Sequence, residues 1–529
     1  MTSCCVSLSP RIECPKRLSV TCLAVRGTAL IRKDRNTAIW ASSYRHHSTA
    51  TMSIFISAGQ KPRTTSQSVS SELSLEPEAG RQQPRHPRYA SLFNWLRLVT
   101  FTVYRQLLLI LVLCNLAGAI YVSVQGMRSS EALVAHSVTA ALANLTAAVL
   151  IRQDYVVNGL YALCWSVPHS APLRFRRKMA LIYENGGVHS GSALGALIWT
   201  VAFLCLFAPD GVRGSWRGAL VLSMSLILLT LLLLVILGAL PQVRRQHHNF
   251  FENTHRIGGW CSVLLFWPTL WLFIERNVEA GAATPTSLLL TLLRTPASWM
   301  LLIITIHIAY PWILLRKVRV VKSEHLSDHA VRIHFDPRER MRALRGCAIS
   351  DAPLHEWHSF AMIPDLDGRD GGASSCIISK AGDWTSKVIK SPPEYFYMRG
   401  LPRTGVLAMA KVFKSIVLMS TGSGIGPCLS VLGGIPETEV RIIWSAPDPL
   451  ETFGKRIYER VLHHDPRAMV LDTRLEGHRR PDLVKAALEV YLTEKAEAVF
   501  FISNRNLTHR VTTGLASKGV PVFAPIFDS

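Results

Sequence analysis

At 529 residues the chain has room for several domains, and its 49% hydrophobic content is gathered into nearly uncharged runs rather than spread evenly. The formal charge of +22 would suit nucleic acid, but many basic residues lie in the N-terminal tail and in short loops beside apolar runs, where lipid and topology account for them. A nucleic-acid partner is therefore not expected. The eleven cysteines show neither zinc-like nor thioredoxin-like spacing, which argues against a disulfide framework.

Residues 1–92 are rich in Ser, Thr, Arg, Gln and Pro and offer too little apolar surface to offset chain entropy, which predicts a disordered basic tail. Its start lacks a long apolar core followed by a small-residue cleavage site, leaving an organelle-targeting segment and a functionless extension both open. Six apolar runs follow, at Leu107–Val124, Ala132–Ile151, Gly191–Ala208, Trp216–Leu240, Ile257–Ile274 and Pro296–Leu315. Each is long enough to cross a hydrocarbon layer of roughly 30 Å, and at these lengths a helix satisfies its own backbone. A shorter run, Tyr155–Val167, is expected to be interfacial.

Basic residues cluster on alternate loops: Arg174, Arg176, Arg177 and Lys178, then Arg244 and Arg245, then Arg316, Lys317, Arg319 and Lys322. The opposite loops carry Arg128, Arg213, Arg276 and Arg294. The positive-inside tendency predicts a multi-pass membrane protein in a lipid bilayer, with both termini and the region beyond the helices cytoplasmic.

From about Val318 short alternating β-branched runs suggest a small antiparallel barrel or sandwich up to about Thr404. KSIVLMS, VRIIWSA, AMVLDTR and AEAVFFIS then read as buried strands separated by helical stretches, the signature of a parallel α/β unit. The expected organisation is a tail at 1–92, a six-helix membrane domain at 93–320, an antiparallel β-barrel domain at 321–408 and a parallel α/β nucleotide-binding domain at 409–529.

The strand SIVLMS runs directly into Thr421-Gly422-Ser423-Gly424-Ile425-Gly426-Pro427. Glycines at 422, 424 and 426 allow a tight turn close to a pyrophosphate, and the amides of a helix starting near Pro427 point at the phosphates. No Lys-Ser or Lys-Thr pair follows, so ATP hydrolysis is disfavoured.

Three ordered motifs carry a resemblance: Trp357-His358-Ser359-Phe360-Ala361, Gly382-Asp383-Trp384-Thr385-Ser386-Lys387, and the glycine turn. Together with six preceding helices, they make residues 100–529 resemble the ferredoxin-NADP reductase superfamily in its ferric reductase and NADPH oxidase branch, most nearly the fungal ferric-reductase-like membrane proteins. The resemblance implies an FAD domain followed by a nicotinamide domain. It implies that His358, Ser359, Phe360 and Ala361 meet the flavin, and that Gly382, Thr385, Ser386 and Lys387 lie at the FAD pyrophosphate. A hydrophobic strand and a surface turn remain the alternative for those two motifs.

Two departures stand out. Ser359 and Ala361 replace the Pro and Thr usual at the flavin strand, and Phe501-Ile502-Ser503-Asn504 stands where relatives commonly carry Cys-Gly-Pro, leaving Ser503 as a hydrogen-bonding substitute. NADPH and NADH are both open. Ser445 closes the strand where a 2′-phosphate contact would fall, and Arg474, Lys455 and Arg456 are candidate cations for it.

His189 and His255 fall at similar depth near helix ends, and the resemblance implies one haem held between them. The later positions near Phe203 and Pro268 hold no histidine, so a second haem is not expected. Plain interfacial histidines beside Glu184, Glu252 and Arg256 are the alternative. The expected function is a membrane-bound flavin oxidoreductase passing electrons from cytosolic NAD(P)H through FAD to an unidentified membrane-associated acceptor or protein partner. A haem-containing ferric reductase or NADPH oxidase and a catalytically silent nucleotide-binding scaffold are the alternatives.

Overall fold

The computed structural model describes residues 23–25, 28–32 and 38–41, and residues 102–525 apart from 127–130, 280–287, 340, 366–367, 369–370 and 475–480. Two units divide at Pro84. In the first, β1 (Leu23–Val25), β2 (Thr28–Arg32) and β3 (Ala38–Ala41) form an antiparallel meander, with Leu23 opposite Leu30 and Ile31 opposite Ile39. These strands stand where a tail without regular structure is expected, and the rest of that tail lies outside the described residues.

The second unit opens with α1 (Val103–Gly126), α2 (Glu131–Leu150), α3 (Asp154–Trp165), α4 (Leu173–Met179), α5 (Gly186–Arg213), α6 (Trp216–Gly238), α7 (Pro241–Gln246), α8 (His248–Glu279), α9 (Leu288–Arg294) and α10 (Pro296–Ile313). Six helical segments in this region are long and apolar enough to cross a membrane by length and composition. Several outrun the apolar runs: α8 starts at His248 rather than Ile257, because polar residues that end a hydropathy run do not end a hydrogen-bonded helix.

An antiparallel sheet follows, built from β4 (Arg316–Ser327), β5 (Ala330–Phe335), β6 (Arg345–Ser350), β7 (His358–Ala361), β8 (Ser375–Ser379) and β9 (Tyr395–Thr404) in the order β7-β6-β9-β4-β5-β8. The short helix α11 (Asp383–Lys390) lies between β8 and β9. Phe335, Phe396, Met398, Ile333 and Trp384 fill its core. The sheet is what the structure gives of the expected barrel.

The last layer alternates β10 (Ser415–Thr421), α12 (Ile425–Leu432), β11 (Glu439–Ala446), α13 (Pro449–Phe453), α14 (Lys455–His464), β12 (Met469–Asp472), α15 (Leu483–Thr493), β13 (Ala498–Ile502), α16 (Arg505–Ala516) and β14 (Val522–Phe523). All paired strands are parallel, in the order β12-β11-β10-β13-β14. Strands covered on both faces read as unbroken apolar runs, as Ile416–Met419 and Ala498–Ile502 do.

The run expected to be interfacial behaves otherwise. It forms α3, whose Val157, Tyr161 and Cys164 repeat at helical spacing and are buried in the same core as Leu418, Trp444 and Phe500 of the parallel sheet. Asn158 Oδ1 accepts from the Thr404 amide at 2.9 Å and its hydroxyl at 2.8 Å, and Trp165 Nε1 donates to the Ala408 carbonyl at 3.0 Å. Burying a large apolar side chain here is worth roughly 1.5–3 kcal/mol relative to leaving it exposed to water.

The basic loop that anchored the topology is also engaged. Arg176 in α4, 3% exposed, donates through both terminal nitrogens to the two Glu497 carboxylate oxygens at 2.6 Å, and through one of them to the Val412 carbonyl at 3.0 Å. Arg177 donates to the Glu497 carbonyl at 2.9 Å. Two of the four charges in that loop therefore hold the helical region to the amino end of β13, so they cannot be counted as an unpaired determinant of membrane orientation.

Candidate functional site

Between β10 and β13 the connections of the parallel sheet change direction, and in such sheets ligands bind outside the carboxyl ends of the strands at this point. The glycine turn stands there. Gly422 has φ +51°, and a Cβ at that position would meet nothing within 4 Å, so its left-handed conformation serves the turn rather than packing. Trp444 Nε1 holds the Gly422 carbonyl at 3.0 Å. At Gly424 a Cβ would come within 2.8 Å of the Ile502 carbonyl oxygen, which makes glycine a requirement for β13 to run this close. Gly426 is less constrained, with Ile377 at an ordinary 3.5 Å. Pro427 lies inside the first turn of α12, where no amide hydrogen is needed.

Two hydroxyl pairs close the edge. Thr421 Oγ1 and Ser503 Oγ are 2.6 Å apart, joining the ends of β10 and β13. Ser379 Oγ donates to Ser423 Oγ at 2.7 Å, joining the end of β8 to the glycine turn. Ser430 Oγ donates to the Met362 carbonyl at 2.6 Å. The turn thus sits at the seam between the antiparallel and parallel layers. Ser379 was not among the expected residues, since nothing in its own strand SCIIS points across the seam.

On the antiparallel side, His358, Ser359, Phe360 and Ala361 pair with Ile349, Ala348, Cys347 and Gly346 of β6. Strand alternation leaves Ser359 exposed. Phe360 packs against the core beside Trp384, with ring centroids 6.1 Å apart and 23° between planes. His358 stacks on the same indole at 4.0 Å and 23°. The motifs containing His358 and Gly382 therefore converge on Trp384, a residue the motif reading passed over.

Hydroxyls and the lysine of α11 face local partners. Thr385 Oγ1 accepts from the Ala381 and Gly382 amides at 2.8 and 2.9 Å, and Ser386 Oγ donates to the Gly382 carbonyl at 2.7 Å. Lys387 Nζ reaches Asp351 Oδ2 at 2.8 Å while Trp384 Nε1 donates to Asp351 Oδ1 at 2.7 Å. Burial alone would raise the Asp351 carboxyl, but the Lys387 and Trp384 hydrogen bonds outweigh it and hold the group below the usual carboxylate range. An anion approaching this turn would meet the first-turn amides of α11, with the Lys387 charge already opposed by Asp351.

Ser445 is 5% exposed and lies level with Thr421 across the β10–β11 pair. Of the candidate cations near it, Arg474 lies 3.4 Å from Asp448 Oδ2 and Lys455 lies 3.5 Å from Glu459. His189 and His255 do approach one another, with ring centroids 6.0 Å apart, and His189 Nδ1 is 2.8 Å from the Ala148 carbonyl. Among the described residues no group of three or more His, Cys, Asp or Glu side chains is placed to hold a metal ion. The haem expected there has no support beyond this approach of two rings.

Residues 406–529 match the family model described as the C-terminal domain of adenylate-forming reductase 03009. The chain is 36% identical over 489 residues to adenylate-forming reductase 03009 of Coprinopsis cinerea, covering 91% of this chain and 46% of that protein. It is 38% identical over 437 residues to adenylate-forming reductase 06235 of the same organism, covering 82% of this chain and 41% of that protein. The chain thus spans somewhat less than half the length of these curated relatives.

Among solved structures, a ferredoxin NADP+ reductase from Neisseria gonorrhoeae with bound FAD and NADP shares 14% identity over 40% of this chain and 98% of its own, with a TM-score of 0.34. A flavohemoglobin from Malassezia yamatoensis shares 17% over 59% of this chain and 85% of its own, with a TM-score of 0.36. Likenesses this loose carry no argument about the site.

These matches correct three expectations. The share of the chain aligned has to include most of the helical region, and the proteins it aligns with are named as adenylate-forming reductases, not as ferric reductases or NADPH oxidases. The reading of a membrane-bound flavoprotein feeding a membrane-associated acceptor falls with that resemblance. So does the placement as a multi-pass membrane protein with cytoplasmic termini, whose charge argument is further weakened by the engagement of Arg176 and Arg177.

Proposed function

We propose that this chain is the reducing part of an adenylate-forming reductase: an NAD(P)H-dependent flavoprotein oxidoreductase whose electrons end on an acyl group activated as an adenylate. The observation that carries the reading is the glycine turn of residues 421–427 at the carboxyl edge of the parallel sheet, tied by Ser379 to the antiparallel layer. The reductase name of the two relatives supports the class of chemistry, and its first half suggests the acceptor.

In this reading the backbone of Gly422, Ser423 and Gly424 and the first amides of α12 take the dinucleotide pyrophosphate, since they combine close approach with exposed N–H groups. Thr421 and Ser503, already hydrogen-bonded to one another, hold the nicotinamide end at the seam. The flavin, when bound, separates hydride acceptance from delivery to the acceptor. Ser359, exposed on the face of β7 away from Trp384, borders its ring system, Trp384 holds His358 and Phe360 on the opposite face by stacking, and Gly382 with the first turn of α11 faces its pyrophosphate. Ala361 shares the open face of Ser359, while Phe360 packs beside Trp384 on the same face as His358.

The test is an anaerobic absorption spectrum of the full chain after incubation with FAD. Flavin bands should persist through gel filtration, bleach on addition of reduced nicotinamide dinucleotide, and return when an acyl adenylate is added. A chain that is folded by circular dichroism yet retains no flavin would refute the reading.

Asp351 provides a second check. Asp351→Asn keeps a hydrogen-bond acceptor for Trp384 but removes the charge that opposes Lys387. FAD should therefore bind about 3–10-fold more tightly, with the gain shrinking at high salt. A weaker complex would place the pyrophosphate elsewhere.

A further inference from the structure

We infer that Asp448 makes the dinucleotide site selective for NADH over NADPH, an inference that rests on the nicotinamide reading above. In a βαβ dinucleotide unit the adenosine ribose reaches the end of the second strand, and an acidic side chain about twenty residues beyond the glycines receives its 2′-hydroxyl. β11 is that second strand, paired in parallel with β10 so that Ser445 lies level with Thr421. Asp448 follows its carboxyl end, at this distance beyond Gly426.

Its conformation is unusual and well supported. Asp448 has φ +46°, one of only three non-glycine residues with positive φ among the described residues. That region is costly for most side chains and tolerated by Asp. Its amide donates to Asp472 Oδ1 at 2.8 Å, and the same oxygen accepts from the Arg474 amide at 2.8 Å. The carboxylate at the end of β12 thus fixes the turn that carries Asp448, and Asp448 keeps 32% of its side chain open to solvent.

The charges decide between the two dinucleotides. A 2′-hydroxyl donates a hydrogen bond to a carboxylate, whereas a dianionic 2′-phosphate would be set beside one. Arg474, the cation expected to welcome that phosphate, lies 3.4 Å from Asp448 Oδ2 and is matched by it. Lys455 is likewise matched by Glu459, and Arg456 also has an interaction partner. Ser445, at 5% exposure, brings no charge to a phosphate. Among the described residues, the end of β11 therefore offers an acceptor for a hydroxyl and no unmatched positive charge for a phosphate.

The experiment titrates the full chain with ADP-ribose and with 2′-phospho-ADP-ribose by calorimetry, which reads the subsite without turnover or flavin. ADP-ribose should bind at least about tenfold more tightly, and Asp448→Gly should bring the two within about threefold. Glycine adopts φ +46° without strain, so this variant should melt no lower than the parent, and Asp448→Asn should fall between the two. Equal or tighter binding of the 2′-phospho compound by the parent, or a ratio unmoved in Asp448→Gly, would overturn the inference while leaving the nicotinamide reading standing. Binding of neither compound by folded protein would remove both.

Discussion

Gly424→Val is expected to abolish dinucleotide binding, lowering ADP-ribose affinity by more than about 100-fold, because its first added carbon has nowhere to go. A Cβ would lie 2.8 Å from the Ile502 carbonyl oxygen and 3.0 Å from Ile502 Cγ2. The first of these is backbone of β13, hydrogen-bonded within the sheet, so relief requires β10 and β13 to separate or the turn to lift away from its phosphate-facing position. Either movement also disturbs the 2.6 Å contact between Thr421 and Ser503. Gly426→Ala is the matched control: its Cβ would find Ile377 at 3.5 Å, and binding should stay within about threefold of the parent. Calorimetry with ADP-ribose, beside circular dichroism for the fold, separates the two substitutions. A Gly424→Val protein that still bound ADP-ribose normally would show that this turn is not the phosphate cradle.

Glu497→Ala should destabilise the fold by about 2–4 kcal/mol in denaturant unfolding. The value sits toward the lower part of what orphaning one partner of a buried pair costs, because Glu497 retains 16% of its side-chain exposure while Arg176 retains 4%. Removing the carboxylate strands the guanidinium and also frees the Lys414 amide, which Glu497 Oε2 accepts at 2.7 Å. The same group predicts an acid response. Burial would raise the Glu497 carboxyl, yet Arg176, with the Lys414 amide, pulls it below its ordinary value of 4.5. A carboxyl held low when folded contributes stability that is complete above its unfolded value and lost as pH falls through the lower folded one. The parent should therefore lose this contribution on acidification below about pH 4.5, whereas Glu497→Ala should show a flatter profile there. Parallel curves for the two proteins would mean the pair does not titrate with folding.

The existence of six apolar helices was legible because each run exceeds what any other element would need. The setting of the shorter run Tyr155–Val167 was not. Val157, Tyr161 and Cys164 present the same apolar face whether lipid or protein covers it, and only Leu418 and Trp444, more than 250 residues later, decide which. Arg176 and Arg177 likewise read as topological charges until Glu497 is placed beside them. The glycine turn was readable because strand, glycines and helix are contiguous. Lys387 reads in the sequence as an available cation because its partner Asp351 lies upstream on another segment. Asp448 did carry a readable signal in its distance from the glycines, but its positive φ and its hold on Arg474 appear only in three dimensions.

The placement of α3 and α4 has a consequence for how the polypeptide comes together. Arg176 and Glu497 are separated by 321 positions, and Asn158 reaches Pro402 across 244. The parallel sheet is contiguous in sequence, yet part of its covering is made early during synthesis and must wait, with Val157 and Tyr161 unpartnered, until β10 and β13 exist. Contacts of such long range are slow to form and leave their surfaces exposed meanwhile. A fragment beginning at β4 would contain every strand of the sheet and still lack α3 and α4, so an excised C-terminal half would present a wet apolar groove and a carboxylate without its arginine.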